Sequence, residues 1–278
     1  MRKLERERVE SAVKDMIIEA SYSLDAETEE LIKKAKQKET SPYAKKALEI
    51  ILENIALARE KKKPICQDTG LSVFFVEVGR ELCLDFDLTE VINQALRRAS
   101  KEGFLRASVA DPISRRNTGD DAPAIIHYFL TEGDRLKINL LLKGAGSENK
   151  SRAMILSPAE GISGIKRLVL ETVEKAGGQS CPPLIVGIGL GGSLEMSALL
   201  AKKALLRKTG TPSPEPELAE LEEELEREIN QLGIGASGFG GDITCLSVQV
   251  EKFFGHIASL AVTVNLQCWA HRHREVVI

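Results

Sequence analysis

The chain lacks any apolar run approaching the roughly 20 residues a bilayer-spanning helix needs, so no such helix is expected. It also lacks an excess of positive charge, with 38 Lys and Arg against 41 Asp and Glu and a net charge of −3. That balance gives no global attraction to nucleic acid or to an anionic membrane surface, and positive charge has to be sought locally. The first sixteen residues are dense in Arg, Glu and Lys and hold no apolar stretch of the kind found in a secretory signal; their acidic content argues against a mitochondrial transit peptide. Cysteine is scarce: there are five, an odd number, with no Cys-x-x-Cys pair among them. A disulfide framework is therefore not expected, and a cytoplasmic location follows, where reduced thiols can ligate metal. No internal repeat is present.

What is there is the material of an ordinary globular protein. The 278 residues are 43% hydrophobic and 28% charged, enough to bury a sizeable core. The first sixty residues read as helices, and Leu48, Ile51, Leu52 and Ile55 keep a helical period within 42–62, ahead of Pro64. β-Branched and aromatic residues predict a strand over 71–78, and helices are predicted over 88–101, 158–176, 193–208 and 218–232. Further strands are predicted over 124–130 and 136–142, joined by the turn Glu132-Gly133-Asp134, and over 184–188, 243–250 and 257–265. Residues 211–216 form a stiff Pro-rich linker. Without a regular βαβ rhythm, the expectation is an α/β fold, a mixed sheet flanked by helices. One domain is expected over 1–278, with a helical amino-terminal segment at 1–62 and the site-bearing region at 63–278.

Two cysteines, Cys83 and Cys245, sit in apolar, strand-like surroundings and read as small buried or half-buried residues. The other three fall in turns. Cys66 opens Cys-Gln-Asp-Thr-Gly, Cys181 lies between Gly177-Gly178 and Pro182-Pro183, and Cys268 follows a strand. More than eighty residues separate each from the next, which excludes the local spacing of zinc ribbons and ferredoxins. Three thiolates from distant loops could ligate three corners of a cubane cluster; unrelated thiols are the alternative.

Polar groups accompany them. Gln67 and Asp68 could position a hydroxyl and shuttle a proton beside a metal-bound substrate, or Asp68 could simply close an Asx turn before Gly70. Arg106, Arg115 and Arg116 stand near Asn117-Thr-Gly-Asp-Asp121, and Arg suits bidentate recognition of carboxylates; a solvated basic loop is the alternative, expected for at least one of Arg115 and Arg116. The glycines of Lys143-Gly144-Ala-Gly146-Ser-Glu-Asn149 permit close backbone approach to an anion, although a plain turn would look the same. Gly187-Ile-Gly-Leu-Gly-Gly192 contains the GxGxxG spacing but lacks the acidic residue about 20 positions on that a dinucleotide fold requires. Close helix–strand packing or a carboxylate-binding loop is the simpler reading. His256 enters a strand, where it is either a site-edge imidazole available for hydrogen bonding or proton transfer, or a satisfied structural histidine. His271 and His273 alternate with Arg272 and Arg274 and read as a polar exit or contact surface.

These phrases occur together and in order: Pro-Ile-Cys66-Gln-Asp-Thr-Gly, Leu-Arg106-x-Ser, Asn117-Thr-Gly-Asp-Asp, Lys-Gly-x-Gly146-Ser-Glu-Asn, Cys181-Pro-Pro, Gly-Ile-Gly-Leu-Gly-Gly, Gly255-His256-Ile-Ala-Ser and Asn-x-x-Cys268-Trp-Ala. From about Lys62 to Arg274 the chain resembles the alpha subunits of class I, iron–sulfur fumarate hydratases and of L-tartrate dehydratase. The resemblance implies a [4Fe–4S] cluster on Cys66, Cys181 and Cys268 with one open iron acting as a Lewis acid. It implies a dicarboxylate held by Gln67, Asp68, Arg106, Gly144 or Gly146, and His256, with Asp68 and His256 as catalytic groups. Hydration of fumarate to L-malate is the expected reaction, and dehydration of L-tartrate is the runner-up. In that family the base acting on carbon belongs to a carboxy-terminal domain or a separate beta subunit, and this chain ends ten residues after Cys268. A beta partner in an alpha2beta2 assembly is therefore expected, with no nucleic-acid or membrane partner. A nicotinamide oxidoreductase and an iron–sulfur electron carrier or sensor are the rival classes.

Overall fold

Alternating and fully apolar runs supply the strands, and 3.6-residue periods supply the helices that cover them. The computed structural model describes residues 2–278. In chain order its elements are β1 (Arg2–Lys3), α1 (Arg6–Tyr22), α2 (Ala26–Lys38), α3 (Pro42–Lys61), β2 (Leu71–Gly79), β3 (Leu82–Cys83), α4 (Leu88–Glu102), β4 (Ile125–Thr131) and β5 (Leu136–Lys143). There follow α5 (Ala145–Glu148), β6 (Arg152–Leu156), α6 (Gly161–Ala176), β7 (Leu184–Gly191), α7 (Leu194–Ala204), α8 (Pro216–Gln231), β8 (Cys245–Phe253), β9 (Leu260–Gln267) and β10 (Arg272–Val277). The fold is mixed α/β and opens on helices. No described helix is long and apolar enough to cross a membrane.

The chain divides into two compact units, and neither is continuous in sequence. Unit 1 comprises residues 1–25, 54–145 and 272–278; unit 2 comprises 26–53 and 146–271. The amino-terminal helices are thus shared, with α1 in unit 1, α2 in unit 2 and α3 passing from one to the other.

Unit 1 is built on a mixed sheet of order β10-β5-β2-β4, in which only β2 and β4 run parallel. Val9, Val13, Met16, Ile17 and Ala20 line one face of α1, and Val91, Ile92, Ala95, Leu96 and Ala99 one face of α4. Both stripes pack into one core with Phe74, Val76, Ile138, Leu140 and Leu142 of the sheet. The Asp87 carboxylate caps α4 by accepting the Glu90 N–H at 3.2 Å. β4 and β5 are joined by the expected turn at Gly133, but they do not pair with each other: β2 lies between them.

Unit 2 holds a second mixed sheet of order β6-β9-β7-β8. The face of Leu184, Val186 and Ile188 meets α6 and α8, the latter through Leu218, Leu221, Leu225 and Ile229. On the opposite face α7 lies directly against β7. A β-carbon at Gly187 would stand 2.2 Å from the Ala201 carbonyl oxygen, and one at Gly189 would stand 1.9 Å from that of Ser197. The glycine run thus serves helix–strand contact. The acidic helix α8 is held by Glu222, 4% exposed, whose Oε1 accepts the Val250 N–H at 2.8 Å and whose Oε2 accepts the Ser213 N–H at 2.8 Å. Arg207 pairs with the same carboxylate at 2.6 Å.

Candidate active-site loops

In unit 1 the segment after Cys66 is clamped against the end of β5. Gly70 adopts φ +78°, and a β-carbon there would lie 2.6 Å from the Lys143 carbonyl, so this contact requires glycine on both counts. Asp68 completes the clamp. Its Oδ1 accepts the Gly70 N–H at 2.9 Å and its Oδ2 accepts the Ala145 N–H at 2.7 Å, while its own N–H points to Cys66 Sγ at 3.5 Å. The Asx turn is therefore real, and it also joins two sequence motifs. Cys66 and Asp68 are half-buried, Gln67 is exposed and Gly144 is buried.

Arg106 is exposed on an irregular loop, as are Arg115 and Arg116. That loop is anchored by Asp121, which is fully buried and accepts the Ser108 N–H at 2.9 Å and the Ser100 hydroxyl. Burial pushes the Asp121 carboxyl up from its ordinary range against the pull of those two bonds, with smaller upward pushes from the charges of Asp120 and Asp68. Asn117 adds a bond from Nδ2 to the Ala107 carbonyl at 3.0 Å. The Asn117–Asp121 motif is the scaffold of the Arg106 loop, a role that sequence reading left unassigned although the motif itself was visible.

In unit 2 three other motifs meet. Cys181 sits in the left-handed region at φ +56° and is exposed. The Trp269 N–H donates to the Cys181 carbonyl at 3.3 Å, so the loops bearing Cys181 and Cys268 are tied together. Gly146 lies against the Gln179 carbonyl, 3.5 Å from where its β-carbon would be. Glu148, two residues on, accepts from Asn265 Nδ2 at 3.1 Å and pairs with Lys202. His256 is exposed on the loop ahead of β9 rather than within the strand, because Ala258 N–H bonds back to its Nδ1 at 3.1 Å and closes a turn. That bond leaves the proton of the neutral imidazole on Nε2.

The five thiols separate by environment. Cys245 is 2% exposed, donates to the Ser247 carbonyl at 3.2 Å, and has its thiol pushed well up by burial, so it is a packing residue. Cys83 lies exposed on the short strand β3, not buried as its apolar neighbours suggested, because only Leu82 of that strand turns inward. Cys66, Cys181 and Cys268 all lie in loops and are half-buried or exposed. Among the described residues no group of three or more His, Cys, Asp or Glu side chains is gathered as an ion site. Within unit 2, Cys181 and Cys268 stand on loops tied by the Trp269 N–H, and accessible loop thiols of this kind are the donor type an iron–sulfur group takes.

Sequence reading also missed the setting of His271 and Arg272. They are not a surface exit: both are buried, and Arg272 begins β10, paired with Leu142 of β5. The alternation of Arg272-His-Arg-Glu was a strand signal hidden by its charge.

These loops belong to an enzyme of the hydro-lyase class. A family model described as fumarate hydratase (Fumerase) matches residues 10–277, and the chain belongs to that family. A Methanocaldococcus jannaschii protein, provisionally named as an L(+)-tartrate dehydratase subunit alpha, is 42% identical over 272 residues, covering 95% of each chain. The L(+)-tartrate dehydratase subunit alpha of Escherichia coli K12 is 33% identical over 251 residues, 89% of this chain and 83% of the relative.

Proposed function

We propose that this chain is the cluster-carrying alpha subunit of a hydro-lyase that interconverts fumarate and L-malate together with a beta subunit. The observation that carries the reading is the Trp269-to-Cys181 hydrogen bond, which joins the loops of two candidate thiolate ligands within a chain of this family. Cys66, Cys181 and Cys268 are the residues that would hold a [4Fe–4S] group, and such a group supplies a Lewis acid for a hydroxyl and carboxylate. The chain's own side chains do the rest. Arg106, exposed on its Asp121-anchored loop, forms a charge-assisted pair with a substrate carboxylate. Gln67 hydrogen-bonds the substrate from the same motif as Cys66. His256 carries its N–H on Nε2, suited to donation, and Asp68 is the candidate for moving a proton at the hydroxyl. Gly144 and Gly146 let the substrate approach main chain closely. The base acting on the carbon is assigned to the beta subunit, in an alpha2beta2 assembly.

Dehydration of L(+)-tartrate is the second reading, favoured by the names of the curated relatives. The test is co-production with the beta subunit without oxygen, followed by iron and sulfide analysis and assays with L-malate and L(+)-tartrate. Brown protein forming fumarate from malate supports the first reading, and brown protein forming oxaloacetate from tartrate alone supports the second. A preparation without iron under those conditions overturns both. The alpha chain by itself is expected to bind the cluster but turn nothing over.

A further inference from the structure

Arg272 is 1% exposed, yet its Nε has no hydrogen-bond partner among the described residues. A guanidinium sunk this deeply is costly unless an opposite charge or an acceptor offsets it. Its surroundings narrow the choice. It stands at the start of β10 in one cross-strand row with Leu142 and Ser72, on the face of the unit 1 sheet that carries Phe74 and Leu140. Its Nη2 lies 3.8 Å from the point where a β-carbon on Gly144 would be, and Asp68 Oδ2 lies 3.3 Å from that same point. The two charged groups are therefore no more than about 7 Å apart, both lying beside Gly144. Across so short a distance inside a protein, opposite charges attract strongly.

We infer that Arg272 is a positioning residue for Asp68: its buried guanidinium holds the Asp68 carboxylate in the clamp between the Cys66 loop and the Gly144 turn. The inference rests on the proposed function only for its catalytic consequence. Arg272 itself touches no substrate. Its influence passes through Asp68 to the segment that presents Cys66 and Gln67, whose path is otherwise fixed by the Gly70–Lys143 contact.

The test is a double-mutant cycle of Arg272→Met and Asp68→Asn in the full-length chain, with Arg272→Lys as the charge-retaining variant. The first readout is alkylation of Cys66 by iodoacetamide in the cluster-free chain, followed by mass spectrometry. Hydrogen exchange in β2 and β5 serves as the control for general loosening. Arg272→Met is expected to speed Cys66 labelling about tenfold through local opening, with β2 and β5 exchange unchanged. In the Asp68→Asn background the same change is expected to add less than about twofold, because the two residues act as one unit. Arg272→Lys is expected to restore most of the protection. Additive effects, unchanged Cys66 labelling, or no rescue by Lys would overturn the inference. Should Arg272→Met fail to fold, Arg272→Gln, which also removes the charge, and Asp68→Asn with their double variant carry the same cycle. The second readout is turnover with the beta subunit, where kcat should fall while KM changes little. Failure of the proposed function would appear as absent turnover in the unaltered enzyme, whereas failure of this inference would appear in the labelling cycle.

Discussion

Asp68 Oδ2 accepts the Ala145 N–H at 2.7 Å, so one carboxylate closes the turn after Cys66 and fastens it to the chain leaving β5. Two short motifs 77 positions apart thereby become one piece of structure. Replacing Asp68 by Ala removes both charge-assisted bonds and is expected to destabilise unit 1 by about 2 kcal/mol, the half-buried setting keeping the loss moderate. Thermal unfolding of the isolated chain checks this, and an unchanged melting temperature would count against the clamp.

The Gly189→Ala substitution pushes a methyl group into the Ser197 carbonyl oxygen, at 1.9 Å from an ideal β-carbon. Either β7 or α7 must shift, and a loss of about 3 kcal/mol is expected from overpacking at backbone. The same glycines leave no room for a dinucleotide pyrophosphate between α7 and β7. NAD should accordingly leave the melting temperature of the unaltered chain where it was.

Glu226 of α8 gives unit 2 a pH dependence. Burial pushes its carboxyl up to about 7, opposed by Lys38 and reinforced by Glu223. A carboxyl whose folded value is raised favours the fold while protonated; that contribution is full below about 4.5 and is lost as pH rises through about 7. Glu226→Gln is therefore expected to match the unaltered chain closely at pH 5 and to exceed it by up to about 3 kcal/mol at pH 8. Denaturant titrations at the two pH values give the comparison. Glu226 lines a cleft of about 540 Å³ with Glu222, Glu223 and Asn230, and the Glu222–Arg207 pair is a separate ion pair.

Asp121→Asn tests the scaffold of the Arg106 loop. The amide keeps one acceptor but replaces a carboxylate that takes bonds from Ser108 N–H and Ser100 Oγ. With the beta subunit present, KM for the dicarboxylate should rise about tenfold with a smaller change in kcat and iron content intact, since only the orientation of a binding group is lost. Loss of iron instead would place Asp121 with the cluster loops.

The sequence made much of this legible where one force dominates. The strands β2, β5 and β7 were readable because runs of apolar, aromatic or β-branched residues dominate them, and α4, α6 and α8 because their buried residues recur at helical intervals. β6 and β10 escaped notice: they sit at sheet edges, where polar residues are tolerated, and Arg272 and His273 disguised the alternation. The pairing of β4 with β2 rather than β5 was illegible too, since a turn fixes how a chain reverses but not which strand lies between. At the site, Cys66 and Asp68 stood out by motif, whereas the service of Asp121 and Arg272 is a matter of burial, which no spacing of residues announces.

Because the chain enters each unit more than once, the order of synthesis and the order of assembly differ. A ribosome releases β2, β4 and β5 long before β10, and all of unit 2 from residue 146 emerges in between. The unit 1 sheet must wait with β5 uncovered at its edge, and with Asp68 lacking its guanidinium neighbour, until β10 arrives. Neither half can be excised as a gene fragment, and the nascent protein carries an unfinished sheet edge through nearly half of its translation, a window in which a chaperone has work to do.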